Sequence, residues 1–417
     1  MAATEFEVVP AVRRPPRRPG LVVMKFGGTS VGDPERLKSV AERLASARKS
    51  GAQVVAVLSA MGDTTDDLIG LARQVSANPK PRALDMLISV GERISGALAE
   101  MALNDLGHEA ISLTGSQAGI VTDTTHTKAK IADIRPRRIH EALDEGKIVL
   151  VAGFQGVSTT HDITTLGRGG SDATAVALAA ALGADACEIY TDVEGVFTAD
   201  PRVVPQARKL HAVSYEEMLE MAASGAKVMM LRSVELARNY GVTLHVRSTF
   251  TPAEGTWIRE EDERMLEKAM ISGVTKTLEE TLYRVAAVSP ARLFASLADA
   301  GVNVDTILQT GDEIVFSAPV EDHGDASRAL DALGVSWTAR DDLGKVSLIG
   351  AGMKSHPGVA AKTFATLAEH GIEPQIVNTS PIKIACFIDR GEVDRAVQAL
   401  HEAFELDRPG AERPHGG

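Results

Sequence analysis

Lysine, arginine, aspartate and two clusters of glycine are spaced along this chain in a way that suits the handling of phosphate. The first cluster is VVMKFGGTS, Val22 to Ser30, where an apolar run delivers Lys25 and then Gly27 and Gly28. Small residues beside hydroxyls let backbone N–H groups come close to an anion. The order is not that of a Walker A loop, in which the lysine follows the glycines. The second cluster is TTLGRGGSD, Thr164 to Asp172, where Gly167, Gly169 and Gly170 frame Arg168 ahead of a regular helical stretch. A helix that opens on Gly-Gly-Ser presents free N–H groups to an anion. Arg168 adds a planar fork that matches a carboxylate or phosphate. Asp172 would oppose such an anion, so it reads as orienting a lysine or a metal-bound phosphate. The plainer alternative is an ordinary capped helix with Ser171 as N-cap.

Other segments carry weaker signals. IYTDVEGVFTADPR, Ile189 to Arg202, is a strand end followed by an acidic, turn-rich loop. Loops beyond the carboxyl ends of strands are where open α/β sheets take ligands. Asp192, Asp200 and Arg202 therefore suit a nucleotide's ribose, base or phosphates, although Asp-Pro and Glu-Gly are also common turn chemistry. GAKVMML places Lys227 and Val228 just after a glycine. SVGERISGAL puts Glu92 early in an apolar helix, where the dipole alone would favour an acid. LSAMGDTTDDL offers Ser59, Thr64 and Thr65 at a strand–loop–helix passage, with either threonine equally suited to be an N-cap. There is no H-E-x-x-H and no Ser/His/Asp constellation. The combination suggests phosphoryl transfer without a P-loop, a reaction that asks for aimed cations and little covalent help. Lys25, Arg168 and Lys227 are the available cations.

These side chains need a frame. From Leu21 to about Ser248, short β-branched runs such as VVAVLSA and KIVLVAGF alternate with Ala/Leu-rich helical stretches. Continuous apolar strands are buried on both faces, which predicts a mostly parallel sheet between helix layers. The chain has 417 residues, too many for one ordinary core. Its net charge of −12 argues against a general nucleic-acid or anionic-membrane surface. Cys187 and Cys386 are far apart and make no CxxC, so no disulfide framework or zinc site is expected. No apolar run approaches the roughly 20 residues that span a bilayer. The Arg/Pro-rich start lacks a signal-peptide apolar region and reads as a flexible tail, which points to the cytoplasm.

After a polar connection from Thr251 to Lys268 comes an internal repeat. LFASLADAGVNV, Leu293 to Val304, matches TFATLAEHGIEP, Thr363 to Pro374, and each is followed by a strand and a second helix. Two consecutive units of this kind predict a pair of ferredoxin-like modules, whose junction is a place for ligands or for dimerisation. The copies differ. The second has Pro357 and Gly358 at the start of its helix, whereas the first passes through only Ser289 and Pro290.

KFGGTS, SAMGDTT, GERIS, TGSQAG, VAGFQG, TTLGRGGSD, DVEGVFTADPR and GAKV occur in the order found in aspartate kinases of the amino-acid-kinase superfamily. The chain resembles that family, its actinobacterial members above all, from about Leu21 to Leu406, and the repeat resembles the family's tandem ACT domains. The resemblance implies a three-layer α/β/α sandwich followed by two βαββαβ modules. It implies a tail over residues 1–20, a catalytic domain over 21–263, a first, degenerate ACT domain over 264–340, a second over 341–407 and a tail over 408–417. It further implies phosphorylation of the L-aspartate β-carboxylate by ATP with Mg²⁺, in a homo-oligomer joined through ACT domains. Carried over by position, Lys25 and Lys227 steady charge on the phosphates, and Asp172 organises the lysines. Arg168 takes the α-carboxylate and Glu92 the amino group, with Ser59, Thr65, Gly169, Gly170 and Ser171 nearby. Gly27, Gly28, Thr191, Asp192, Phe197, Asp200, Arg202 and Val228 complete the nucleotide side. No protein metal-ligand set is expected. The acceptor is already a carboxylate at neutral pH, so no general base is required.

The departures concern the nucleotide side, where little effect is expected, and regulation. Phe197 stands where the family usually has tyrosine. The first ACT copy lacks the family's Asp-x-Pro-Gly loop and has a shortened hairpin at Thr310, Gly311 and Asp312. This predicts weakened or lost inhibition by lysine and threonine. Competing readings are a kinase for an aspartate analogue, a superfamily kinase for glutamate, carbamate or uridylate, and a non-catalytic amino-acid-sensing subunit. Convergent charges argue against the last, and Glu92 with the ACT pair favours aspartate.

Overall fold

The computed structural model describes Arg18, residues 20–260, residues 271–351, Met353, His356 and residues 358–408. Most of the two expected tails, and Pro357, lie outside the described residues. The chain divides into two compact units. One takes in residues up to Val196, Lys209–Leu219 and the described part of Lys227–Asp262; the other takes in Phe197–Arg208, Glu220–Ala226 and the described residues from Glu263 onward.

The first unit is built on an eight-stranded sheet. Its strands run in the order Ala212–Ser214, Thr256–Arg259, Leu244–Ser248, Ala186–Thr191, Leu21–Phe26, Gln53–Leu58, Ile148–Ala152 and Ala110–Leu113. Every neighbouring pair is parallel except Leu244–Ser248 against Thr256–Arg259. The inner strands are buried almost throughout, as their unbroken Val/Ile/Leu runs require. On one face Met24 and Phe26 pack with Leu37, Val40 and Leu44 of the helix Pro34–Lys49 and with Leu103 of the helix Val90–Asp105. Asp33 caps the former helix by accepting the Arg36 N–H at 2.9 Å, with Pro34 in the first turn. On the other face lies the helix Gly170–Leu182, which is buried nearly all round and also packs on the helix Leu231–Tyr240. Because strand side chains alternate, Lys25 points to this second face while Met24 and Phe26 fill the first. A small sheet, Ile131–Ile134, Ile120–Thr122, Gln155–Ser158 and Ile163–Thr165, sits within the same unit.

The second unit holds two four-stranded antiparallel sheets, each with two helices. The first has the strand order Ile307–Thr310, Glu313–Pro319, Glu280–Ala286, Ser336–Arg340. The other has the order Gly273–Thr277, Leu343–Ile349, Lys383–Asp389, Ile376–Ser380. Both are ferredoxin-like, but they are not consecutive. The fourth strand of the second module is Gly273–Thr277, which precedes the first module and pairs Gly273 with Ile349 and Thr277 with Lys345. Sequence patterning had drawn one boundary near residue 340; strand pairing makes the first module an insertion in the second. Ala199 and Val204, from the excursion Phe197–Arg208, pack into the second module's core beside Val346, Ile384 and Leu400. Lys345, 1% exposed, joins the modules by pairing with Asp305 at 2.6 Å and with Glu280. Cys187 and Cys386 are free and buried. Among the described residues no helix is long and apolar enough to cross a membrane.

Candidate functional site

The central strand Leu21–Phe26 carries Lys25 one residue before its end, and the ammonium lies 2.6 Å from Asp172 Oδ1 in the first turn of the helix Gly170–Leu182. The two side chains are 12% and 10% exposed, so this is a nearly desolvated ion pair, and Asp172 Oδ1 accepts no hydrogen bond among the described residues. A Cβ at Gly27 would lie 3.3 Å from Lys25 Nζ, so glycine keeps the space beside the ammonium open. The loop after the next strand locks onto this one. Gly62 donates its N–H to Gly28 O at 3.1 Å, and Ser59 donates its N–H to Phe26 O at 3.1 Å.

Glu92 enters from a third direction. It stands in the first turn of the helix Val90–Asp105, yet it turns inward and is 3% exposed. Its Oε1 accepts the Ala60 N–H at 3.3 Å, while Oε2 is buried with no hydrogen-bond partner among the described residues. Burial pushes this carboxyl up to about 7, against the pull of backbone N–H groups toward lower values. Ser59, beside Ala60, is half-buried, as is Thr65, which follows Thr64 in the first turn of the helix Thr64–Val75. Neither threonine is the cap of that helix. Asp63 occupies the position without a side-chain bond, and Thr64 Oγ1 donates to Met61 O at 2.5 Å.

The turn around Arg168 is the most distinctive piece of backbone. Gly167 and Gly169 take φ values of +76° and +71°, in the left-handed region. Gly169 is the N-cap of the helix that follows, so Ser171 is not; it lies inside the first turn, 8% exposed. No side chain caps this helix, which leaves first-turn N–H groups for an anion. A Cβ at Gly169 would meet Met230 Cγ at 2.2 Å, so the segment carrying Lys227, Val228 and Met230 lies directly against the turn. Arg168 is exposed and makes no ion pair among the described residues. Lys227 is exposed and Val228 half-buried in the same segment.

The expected nucleotide residues divide between the two units. Thr191 and Asp192 end the strand Ala186–Thr191 in the first, where Thr191 Oγ1 donates to Asp192 Oδ1 at 3.1 Å. Phe197, Asp200 and Arg202 belong to the second. There the Arg202 guanidinium donates to both oxygens of Asp200, at 2.8 to 3.2 Å, and holds that carboxyl below its usual range. No group of three or more His, Cys, Asp or Glu side chains suited to a metal occurs among the described residues.

Sequence reasoning passed over two residues beneath the Arg168 turn, Asp85 and Arg232. Asp85 is fully buried on the helix Pro81–Ile88. Arg232 is half-buried, and its guanidinium bonds backbone carbonyls at 2.9 and 3.0 Å. An acid inside the apolar run ALDMLIS was the available signal for Asp85.

Residues 20–248 match the model of the amino acid kinase family, and residues 346–404 match that of the ACT domain. The chain is 54% identical over 405 residues to an aspartokinase of Mycolicibacterium smegmatis, covering 93% of this chain and 96% of that one. It is 50% identical to an aspartokinase of Corynebacterium glutamicum with the same coverage. Among solved structures, Escherichia coli aspartokinase III in complex with aspartate and ADP aligns with a TM-score of 0.82 at 24% identity, covering 92% of this chain and 100% of that one. The aspartate kinase of Synechocystis aligns with a TM-score of 0.54 at 40% identity, covering 92% of this chain and 69% of that one.

Proposed function

The chain belongs to the aspartokinase family, and from that premise we propose that its first unit transfers the γ-phosphoryl group of ATP to the β-carboxylate of L-aspartate, giving 4-phospho-L-aspartate and ADP. The observation that carries the reading is Glu92, a buried carboxylate with one oxygen unpartnered, which matches the ammonium of an α-amino acid. Arg168, exposed on its glycine turn and without an ion pair among the described residues, is the complementary group for the α-carboxylate.

The chemistry asks little of side chains as acids or bases. The β-carboxylate is ionised at neutral pH and attacks phosphorus directly; the ADP oxygen leaves as an anion. Lys25 supplies positive charge where charge accumulates on the transferring oxygens, and Asp172 holds it there through their 2.6 Å contact. Lys227 supplies a second cation, and the first turn of Gly170–Leu182, which no side chain caps, supplies the Ser171 N–H, the Gly170 N–H being taken by Gly167 O at 3.0 Å. Within the first unit, Thr191, Asp192 and Val228 are the proposed nucleotide contacts, with Gly27 and Gly28 passing close to the phosphates. Mg²⁺ would be carried in on the nucleotide's own phosphates, where it would offset charge on the transferring group. A cytoplasmic location and homo-oligomerisation through the ACT modules are part of the same reading.

The test is ATP consumption with L-aspartate, coupled to trapping of the acyl phosphate by hydroxylamine. Aspartate-dependent hydroxamate is expected. Turnover with glutamate, carbamate or uridylate instead of aspartate, or no turnover at all, would overturn the assignment.

For regulation we infer weakened or lost inhibition by lysine plus threonine. The support is local: the first module's helix Pro290–Asp299 starts on a Ser289 side-chain cap to the Arg292 N–H, with no glycine turn for an effector carboxylate. The strands Ile307–Thr310 and Glu313–Pro319 are joined by only Gly311 and Asp312. Steady-state rates with both amino acids at millimolar concentration decide it, and strong cooperative inhibition would sink the idea.

A further inference from the structure

Two glycines in the left-handed region flank Arg168, and such a turn does not fix its own direction. What fixes it lies underneath. The strand Ile163–Thr165 runs into the turn, and Thr165 Oγ1 donates to Asp85 Oδ1 at 2.6 Å. Asp85 is 0% exposed and also accepts the Thr127 N–H at 3.1 and 3.2 Å and pairs with His126 Nδ1 at 2.7 Å. Thr127 has φ +65°, a costly conformation for a β-branched residue, and it persists because Asp85 takes its N–H. Its carbonyl oxygen lies 3.1 Å from where a Cβ at Gly167 would sit, so the Thr127 loop is the floor of the Arg168 turn. Arg232 ties the other side. Its two terminal nitrogens donate to Leu166 O at 2.9 Å and to Ala129 O at 3.0 Å, and Ala129 donates its own N–H to Thr165 O at 2.9 Å.

A fully buried carboxylate with three donors, one from a strand and two from a distant loop, is expensive to desolvate and is held only by complete satisfaction. An apolar residue would pack the helix Pro81–Ile88 as well. We infer that Asp85, together with Arg232, is a positioning residue that aims Arg168 at the substrate's α-carboxylate. Asp85 grips the strand entering the turn and the loop beneath it; Arg232 clamps the carbonyls of both. Neither touches substrate. Both act through the placement of Arg168, so the inference rests on the reading of Arg168 given above.

The experiment is a kinetic cycle in the full-length enzyme, with Asp85→Asn, Arg232→Lys, Arg168→Ala and the double variant of Asp85→Asn with Arg168→Ala. Asn keeps the shape but turns one acceptor into a donor facing donors. Displacing a binding group by about 1 Å costs up to about 100-fold. Asp85→Asn and Arg232→Lys are therefore expected to raise KM for aspartate by roughly tenfold or more, with KM for ATP changed less than about twofold. In the Arg168→Ala background, adding Asp85→Asn should change KM for aspartate no further. If Asp85→Asn does not fold, Thr165→Val removes one donor at constant shape and should show the same pattern, with Thr165→Ser restoring the native KM. Equal losses toward both substrates, or effects of Asp85→Asn and Arg168→Ala that multiply, overturn the inference. Arg168→Ala alone separates the two levels. If it leaves KM for aspartate unchanged, the substrate reading falls and the positioning role with it. If it raises KM while Asp85→Asn does not, only the positioning role falls.

Discussion

Acidifying the solution from about pH 8 to about pH 6 will weaken aspartate capture by roughly tenfold, and Glu92 is the reason. Its carboxyl is buried with Oε2 unpartnered, and burial lifts it from an ordinary value of 4.5 to about 7. Only the ionised form pairs with the ammonium of the substrate. The ionised fraction is about nine-tenths at pH 8 and about one-tenth at pH 6 for a group titrating near 7. Aspartate itself keeps both carboxylates ionised and its amino group protonated across this range, so the profile belongs to the enzyme. Binding of aspartate without nucleotide, measured by calorimetry in two buffers of different ionisation enthalpy, should release about half a proton per site near pH 7. The same group shapes the stability of the unliganded protein. Because the folded-state value is raised, the neutral carboxyl stabilises fully below pH 4.5, and that contribution is lost as pH rises through about 7. The shift corresponds to about 3 kcal/mol at about 1.4 kcal/mol per unit. Glu92→Gln should flatten both profiles and bind aspartate poorly at every pH. Affinity independent of pH between about 6 and 8, with no proton released, would refute the reasoning.

Two further expectations follow from the same geometry. Lys25→Ala should lower turnover by more than about 100-fold and, by leaving Asp172 buried without its partner, destabilise the fold by about 3 kcal/mol. Adding Asp172→Asn should recover much of the melting temperature but none of the turnover; near-native activity in Lys25→Ala would remove the lysine from the mechanism. Gly169→Ala should cost roughly 2 kcal/mol, because a methyl group there meets Met230 Cγ at 2.2 Å in a left-handed backbone. Met230→Ala should return only the share of the steric cost that Cγ and Sδ cause in thermal melts, because its Cβ still lies 2.7 Å from the new methyl, and a Gly169→Ala variant as stable as the native chain would show that the turn adapts.

The local chemistry was open to sequence reading where it rested on neighbours in the chain. A strand that ends in lysine and glycines, and a helix that opens on Gly-Arg-Gly-Gly, announce themselves by residue type, and Lys25 and Asp172 do meet at 2.6 Å. Glu92 was ambiguous, since an acid in a first helical turn needs no function; its burial depends on the remote loop at Ala60, whose N–H it accepts, and no local pattern encodes that. Ser171 as a cap was a sound alternative on composition, defeated by Gly169 taking the cap position with positive φ. Asp85 and Arg232 stayed hidden because their partners, Thr127, Thr165, Leu166 and Ala129, are remote in sequence and several are backbone groups common to any residue. The repeat told of two modules but not of their nesting, because strand Gly273–Thr277 looks like any short edge strand until Leu343–Ile349 lies beside it.

That nesting has a consequence for how the chain is made. As the polypeptide emerges, Gly273–Thr277 appears first and must wait, unpaired, while the whole of the first module is synthesised and folds. The second module can close only when its two ends meet across an already compact insertion, which shortens the effective loop and lowers the entropy of closure. The inserted module thus acts as a folding bridge for the one around it. A shorter polypeptide beginning at Asp341 would leave Leu343–Ile349 as an open edge ready to pair with another chain, whereas one beginning just before Gly273 would carry both modules whole.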